Sequence, residues 1–273
     1  MIRLAVFGQP VKQSLSPRIH TAFALQFGLE IDYQAIEASP ETFAGQLGEL
    51  ARSGGRGCNI TAPFKHDAWR AASTASETAD RAEAANTLLF STRGWFADNT
   101  DGGGLVSDLQ TGAGFELAGK KLCLLGAGGA ASGVLASLLK AAPGHVTVAN
   151  RTAGKAVELA ERHADLGAVT GTGLDRLAHT GPFDLVINAT SQGHGGRAPQ
   201  LDPAWLRAGG LCYDMNYGEA AEPLKALCLE REIPYRDGLG MLVGQAALSF
   251  ELWTGRQPNA AAVLDELRLA AGK

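Results

Sequence analysis

Apolar positions along the chain fall into short blocks that switch between strand-like runs and helical spacing. IRLAVFG reads as a strand, and SPRIHTAFALQFG as a helix with Ser16 as N-cap and Pro17 at the first helical position. IDYQAIEA predicts a second strand, PETFAGQLGELARSG a helix and GRGCNIT a third strand. That order points to βαβ units and a mostly parallel sheet. ANTLLFS and GWFADNTD then predict two strands joined by a polar turn at Thr92–Gly94.

The pattern breaks at Asp101, where Gly102, Gly103 and Gly104 open a polar helix ending near Gly112–Gly114. Alternation then starts afresh. KLCLLG is a strand, Ala130–Ala142 a helix, HVTVAN a strand, AGKAVELAERHA a helix, FDLVINAT and GLCYDMNY strands, and EPLKALCLERE a helix. From Gly240 the pattern changes to two long helical segments, LGMLVGQAALSFELWTG and NAAAVLDELRLAAG. Two βα blocks followed by two helices describe a chain that leaves one domain, builds a second, and has the means to return.

Composition narrows the classes. A chain of 273 residues suits two domains, and 45% apolar with 19% charged residues describes a packed globular protein. A net charge of −4 argues against a broad nucleic-acid-binding face. Cys58, Cys123, Cys212 and Cys228 lie far apart without a CxxC pair, so buried, reduced thiols of a cytoplasmic protein are expected, and no metal site. The start MIRLAVFGQP has too short an apolar run for a secretory signal. The uncharged run Leu122–Leu139 contains Gly126, Gly128, Gly129, Ser132 and Gly133, and reads as strand, turn and helix rather than a membrane span.

That run holds the sharpest physical signal. A buried strand leads straight into Gly126-Ala127-Gly128-Gly129-Ala130-Ala131, which is GxGxxA at a strand-to-helix turn. The first glycine allows the tight turn, the second lets a pyrophosphate approach the backbone, and the last small residue permits close helix–strand packing. The free N–H groups at the helix start face the anion. An NAD site usually carries an acidic residue at the end of the next strand. Here HVTVAN ends in Asn150-Arg151-Thr152, with Lys155 nearby, a set suited to the 2′-phosphate of NADP(H). The Gly114–Lys120 segment has P-loop spacing, yet Lys121 stands where magnesium needs a hydroxyl, and no strand precedes it.

A nicotinamide enzyme needs a group to move the proton of the substrate oxygen. His20, His66, His145, His163, His179 and His194 show no pairing with an acid by spacing, and neither HExxH nor GxSxG occurs. Lys65 and Asp101 remain, each just past a strand of the first domain, where an open α/β sheet collects its ligands. Asn59, Thr61, Asn86 and Asn99 cluster at the same strand ends, an uncharged set suited to a polyhydroxylated ligand or simply to closing loops.

Taken with Ser14-Leu-Ser16-Pro17, Asn59-Ile-Thr61-Ala-Pro-Phe-Lys65, Ala85-Asn86-Thr87, Asn99-Thr100-Asp101, Asn188-Ala-Thr190-Ser191, Tyr213-Asp-Met215-Asn-Tyr217 and Gly238-Leu-Gly240-Met241-Leu-Val-Gly-Gln245, the chain resembles the shikimate dehydrogenases over nearly its whole length. The resemblance implies a two-domain α/β fold. Residues 1–101 plus 239–273 would form a mostly parallel substrate domain, to which the last helices return with Gln245. Residues 102–238 would form a Rossmann-type NADP-binding domain. It implies reversible NADPH-dependent reduction of 3-dehydroshikimate to shikimate, in aromatic amino-acid and chorismate biosynthesis, by a cytoplasmic monomer or homodimer with no nucleic-acid or membrane partner.

By the same resemblance Ser14 and Ser16 would hold the substrate carboxylate, with Tyr217 close by. Asn59, Thr61, Asn86, Asp101 and Gln245 would bind the ring hydroxyls, and Lys65 with Asp101 would act as a coupled acid/base pair. Gly126–Ala130, Asn150, Arg151, Thr152, Lys155, Thr190, Met215 and Gly238 would bind NADP(H), with Met215 and Gly238 at the nicotinamide. Many members carry Arg-Gly where this chain has Ser132-Gly133, a departure expected to matter little because Arg151, Thr152 and Lys155 meet the phosphate. Oxidation should quicken as pH rises, since the pair must then accept a proton. A dehydrogenase accepting quinate as well, and a catalytically silent NADPH-binding sensor, are the alternatives. Glycines at Gly102–Gly104 and Gly238–Gly240 would permit domain movement.

Overall fold

The computed structural model describes residues 1–271, which form two compact units, Met1–Gly104 with the segment from Val243 onward, and Leu105–Leu242. In chain order the first unit contains β1 (Ile2–Gly8), α1 (Ser16–Leu25), β2 (Ile31–Glu37), α2 (Phe43–Arg52), β3 (Gly57–Ile60), α3 (Lys65–Ala71), β4 (Thr74–Ala75), α4 (Glu77–Ala82), β5 (Thr87–Leu89) and β6 (Phe96–Asp98). Helix α5 (Asp101–Ser107), continued by a π-helical turn over Asp108–Gly112, leads into the second unit. There follow β7 (Lys121–Leu125), α6 (Gly129–Lys140), β8 (His145–Asn150), α7 (Ala153–Glu161), β9 (Val169–Gly173), β10 (Phe183–Asn188), β11 (Leu206–Asp214), α8 (Glu222–Glu230) and β12 (Tyr235–Arg236). Helix α9 (Leu239–Thr254) leads back, and α10 (Ala260–Ala271) completes the first unit. Gly102–Gly104 and Gly240 are thus helical residues within α5 and α9.

The first sheet runs β2-β1-β3-β5-β6-β4. Strands β2, β1 and β3 are parallel, and β5 runs antiparallel to both β3 and β6. Phe7, Phe43, Leu47, Ile60, Phe64 and Leu88 build its core, with Phe43 and Phe64 stacked at 4.6 Å. The returning helix α9 is fastened to it by Trp253, whose indole N–H donates to the Leu88 carbonyl at 2.9 Å. Ser16 is the first residue of α1 rather than its cap. Leu15 occupies that place, and Ser14 Oγ accepts the Ser16 N–H at 3.2 Å.

The second sheet is parallel throughout, in the order β12-β11-β10-β7-β8-β9. Counted from β7 this is the 3-2-1-4-5-6 order of a doubly wound dinucleotide fold, with the switch point between β7 and β10. Strand β7 shows why its sequence lacks alternation: Leu122 and Leu124 pack on one face with α6 and α7, while Cys123 and Leu125 pack on the other with α8. All four cysteines are buried free thiols. Among the described residues no helix is long and apolar enough to cross a membrane, and Leu122–Leu139 forms β7, the turn and α6.

Candidate active site

Two clusters of the expected residues form, one in each unit. In the first, β3 delivers the chain to Lys65 at the head of α3, and β6 delivers it to Asp101 at the head of α5. Lys65 Nζ lies 2.5 Å from Asp101 Oδ2, with the two side chains 24% and 10% exposed, so the pair is shielded yet reachable. The other carboxylate oxygen, Oδ1, accepts from Asn86 Nδ2 at 2.8 Å. Asn86 also donates to Gln245 Oε1 at 3.0 Å, which brings α9 into the cluster. Lys65, Asp101, Asn86 and Gln245, far apart in sequence, are therefore joined directly.

The remaining expected residues of this unit lie near it in the fold with different contacts. Thr61 is half-buried just beyond β3, its N–H donating to the Phe7 carbonyl at 2.8 Å. Ser14 lies in the turn between β1 and α1, and Ser16, the first residue of α1, is buried. Asn59 is buried in β3, its amide bonded to Tyr33, His20, Thr87, Ser249 and the Asn86 carbonyl. Thr100, whose N–H donates to Asn86 Oδ1 at 2.9 Å, joins the same network, and Asn99 closes the preceding loop on the Ala84 carbonyl. Thr87 falls within a family segment without a role of its own there, and Ser249, His20 and Tyr33 carry no motif that would single them out. Only the three-dimensional network reveals them.

His20 is fully buried, stacked on Tyr33 at 4.6 Å, and burial lowers its pKa from 6.5 to about 3 despite the opposing Asn59 hydrogen bond. The unfolded chain therefore takes up a proton that the folded one refuses. This contribution to stability is complete above about pH 6.5 and is lost as pH falls toward about 3. Urea unfolding at pH 7 and pH 5 should differ by about 2 kcal/mol from this group, and His20→Phe should flatten that difference.

The second cluster lines the carboxyl ends of the parallel strands. Gly126 has φ +110°, a conformation that L side chains rarely adopt, and a Cβ there would press on the Ala189 carbonyl at 3.1 Å. Gly128 and Gly129 have open space where a Cβ would stand, and α6 has no side-chain cap, so its first N–H groups are offered outward. This free concave backbone at a helix start fits a dinucleotide pyrophosphate. Past β8, Asn150 turns back to the Thr152 carbonyl at 3.1 Å, while Arg151, Thr152 and Lys155 are exposed. No acidic residue ends that strand.

Thr190, beyond β10, is held by Asn188 Oδ1 and by Asn216, whose Nδ2 donates to its carbonyl at 3.1 Å. Met215, beyond β11, donates its N–H to the Asn188 carbonyl at 3.0 Å. Gly238 packs so tightly on the Met215 carbonyl that a Cβ could not enter. Tyr217 belongs to this unit, half-buried, and burial raises its phenol pKa. Among the described residues no group of three His, Cys, Asp or Glu side chains could hold a metal ion.

The chain has counterparts among known proteins. The family model described as the shikimate dehydrogenase substrate binding domain matches residues 6–88, that of shikimate / quinate 5-dehydrogenase residues 109–195, and that of the shikimate 5′-dehydrogenase C-terminal domain residues 238–268. The shikimate dehydrogenase (NADP(+)) of Paracidovorax citrulli is 49% identical over 268 residues, covering 96% of this chain and 95% of the relative. The crystal structure of shikimate 5-dehydrogenase from Thermus thermophilus, in complex with NADP(H) and shikimate, superposes with a TM-score of 0.84 at 33% identity, covering 99% of this chain and 100% of that one. The ligand-free 5-ketofructose reductase of a Gluconobacter strain also superposes, with a TM-score of 0.83 at 26% identity over 98% of each chain.

Proposed function

The chain belongs to the shikimate dehydrogenase family, and on that premise we propose that it interconverts 3-dehydroshikimate and shikimate with NADP(H). In metabolism this is the reductive step on the route to chorismate and the aromatic amino acids. The observation that carries the reading is the Lys65–Asp101 pair braced by Asn86, in the unit matched by the substrate-binding model. Bound NADP(H) supplies the hydride. Lys65 gives its proton to the substrate oxygen as the carbonyl is reduced, and its charge stabilises the alkoxide that develops there. Asp101 anchors the ammonium through Oδ2 and is itself held through Oδ1, so the donor is oriented before the substrate arrives. In the opposite direction Lys65 takes the hydroxyl proton. One proton is released for each hydroxyl oxidised, so the equilibrium should move about tenfold toward the ketone for each unit of rising pH. Ser14 and Ser16 supply small hydroxyl donors for the substrate carboxylate, and Thr61, Asn86 and Gln245 supply hydrogen bonds to the ring hydroxyls.

The glycine turn after β7 would receive the pyrophosphate, and Thr190, Met215 and Gly238 would line the remainder of the coenzyme site. Arg151, with Thr152 and Lys155, would grip the 2′-phosphate. Arg151→Ala should raise KM for NADP by about 10- to 100-fold, the loss of one charge-assisted bond of about 1.5–3 kcal/mol. KM for NAD should stay within about twofold. Steady-state kinetics with both coenzymes would check this.

A dehydrogenase that also takes quinate is the second reading, favoured by the family model naming both acids and by the fold's use in a reductase of another carbonyl compound. Comparing oxidation rates for shikimate and quinate decides between them. A rate with quinate below a hundredth of that with shikimate supports the narrower function, and comparable rates support the broader one.

A further inference from the structure

Asn59 stands at the centre of a buried network that no step of the proposed reaction uses directly. Its Oδ1 accepts from the Tyr33 hydroxyl at 2.7 Å and pairs with His20 Nε2 at 3.1 Å. Its Nδ2 donates toward the Asn86 carbonyl, Thr87 Oγ1 and Ser249 Oγ, each at 3.1 Å. A carbonyl can only accept, which fixes which end of the Asn59 amide is nitrogen, and His20 must then donate from Nε2. Both ends of this amide are fully engaged inside the protein.

Thr87 is the next link. It is wholly buried, receives the Asn59 N–H, lies 2.6 Å from Ser249 Oγ, and donates its own hydroxyl proton to Asn86 Oδ1 at 3.0 Å. The Thr100 N–H donates to the same oxygen at 2.9 Å. Turning the Asn86 amide over would set these two donors against its NH2 group and aim a carbonyl oxygen at the Asp101 carboxylate. The two donors therefore keep Nδ2 pointed at Asp101 Oδ1, which leaves Oδ2 for Lys65.

We infer that Thr87, backed by Asn59 and Ser249, is a positioning residue for proton transfer, because its hydroxyl locks the Asn86 amide that holds Asp101 against Lys65. The inference rests on the acid/base reading of Lys65. Asn59 accordingly serves as the hub of this support.

Thr87→Val keeps the side-chain shape and removes the hydroxyl, as donor to Asn86 Oδ1 and as acceptor from Asn59 Nδ2. With shikimate and NADP, kcat should fall about 5- to 100-fold, the range expected when a buried hydrogen-bonded group loses its partner. KM for NADP should stay within about twofold, the melting temperature should fall modestly as buried Asn59 and Ser249 lose a partner, and Thr87→Ser should restore most of both kcat and stability. Ser249→Ala should lower kcat in the same sense by a smaller factor. Wild-type kcat in Thr87→Val, or a parallel loss of kcat, coenzyme affinity and melting temperature that Thr87→Ser fails to restore, would overturn the inference. Lys65→Met run beside it separates the two levels. An inactive Lys65→Met with a normal Thr87→Val removes Thr87's role alone, whereas an active Lys65→Met removes the acid/base reading and this inference together.

Discussion

Lys65→Met is expected to lower kcat by on the order of 10²–10⁴ in both directions, the usual loss when a positioned general acid/base is removed. The methionine keeps most of the apolar stem and deletes the ammonium. Coenzyme binding should survive almost unchanged, because the glycines and Arg151 proposed to hold the coenzyme phosphates belong to the second unit. KM for shikimate should move far less than kcat, since the interaction at stake grows as the alkoxide forms. Lys65→Arg should rescue little. A guanidinium keeps the charge beside Asp101 but does not give up a proton in this range, so it would supply electrostatic stabilisation without proton transfer. Measuring kcat and both KM values for the two variants tests the assignment; near-normal turnover in Lys65→Met would exclude it.

The largest expected loss of stability lies elsewhere, at Asp108 in the π-helical turn after α5. Its side chain is 2% exposed, and its Oδ2 accepts from the Tyr213 hydroxyl at 2.8 Å and Arg236 Nε at 2.9 Å. Oδ1 accepts from Arg236 Nη2 at 2.5 Å, completing a two-pronged clamp between the end of the α5 segment and β12. Gly240, in the first turn of α9, comes so close that any Cβ would strike the carboxylate. The Asp108 hydrogen bond raises the Arg236 pKa, and burial is the main cause of the raised Tyr213 pKa. Asp108→Ala would strand a shielded guanidinium and a buried phenol together, at a cost of about 3–5 kcal/mol. Urea unfolding should show the shift in midpoint. Replacing both partners, Asp108→Leu with Arg236→Met, should cost distinctly less than Asp108→Ala alone, because no buried charge is then left without its counterion.

The two sites differ in how far they could be read before folding. Strands such as β7 and β10 announce themselves by apolar runs, and the turn at Gly126 by glycines between a strand and a helix. Strand β9 escapes because VTGTG has too few apolar residues to show a pattern, and the short helices α3 and α4 because KHDAWRA and ETADRA are mostly polar. Ser16 resembles a cap by local spacing, whereas the backbone places Leu15 there.

Lys65 and Asp101 could be nominated from their positions beyond strands, yet their contact depends on β3 and β6 sharing one sheet. The Asp108–Arg236 clamp spans 128 positions, and the Asn59–Ser249 bond spans 190. Bonds of that reach leave no spacing in the sequence, since each partner looks like an ordinary polar residue in its own segment. For the same reason the bonds that Asn59 makes to Tyr33, His20, Thr87 and Ser249 show only once the sheet is assembled.

The proposed activity is read by following absorbance at the NADPH band while purified protein is mixed with shikimate and either NADP or NAD. Shikimate-dependent formation of NADPH is expected, with kcat/KM at least about tenfold higher for NADP than for NAD, in keeping with a charge-assisted grip on one extra phosphate. Absence of any shikimate-dependent change with either coenzyme would contradict it.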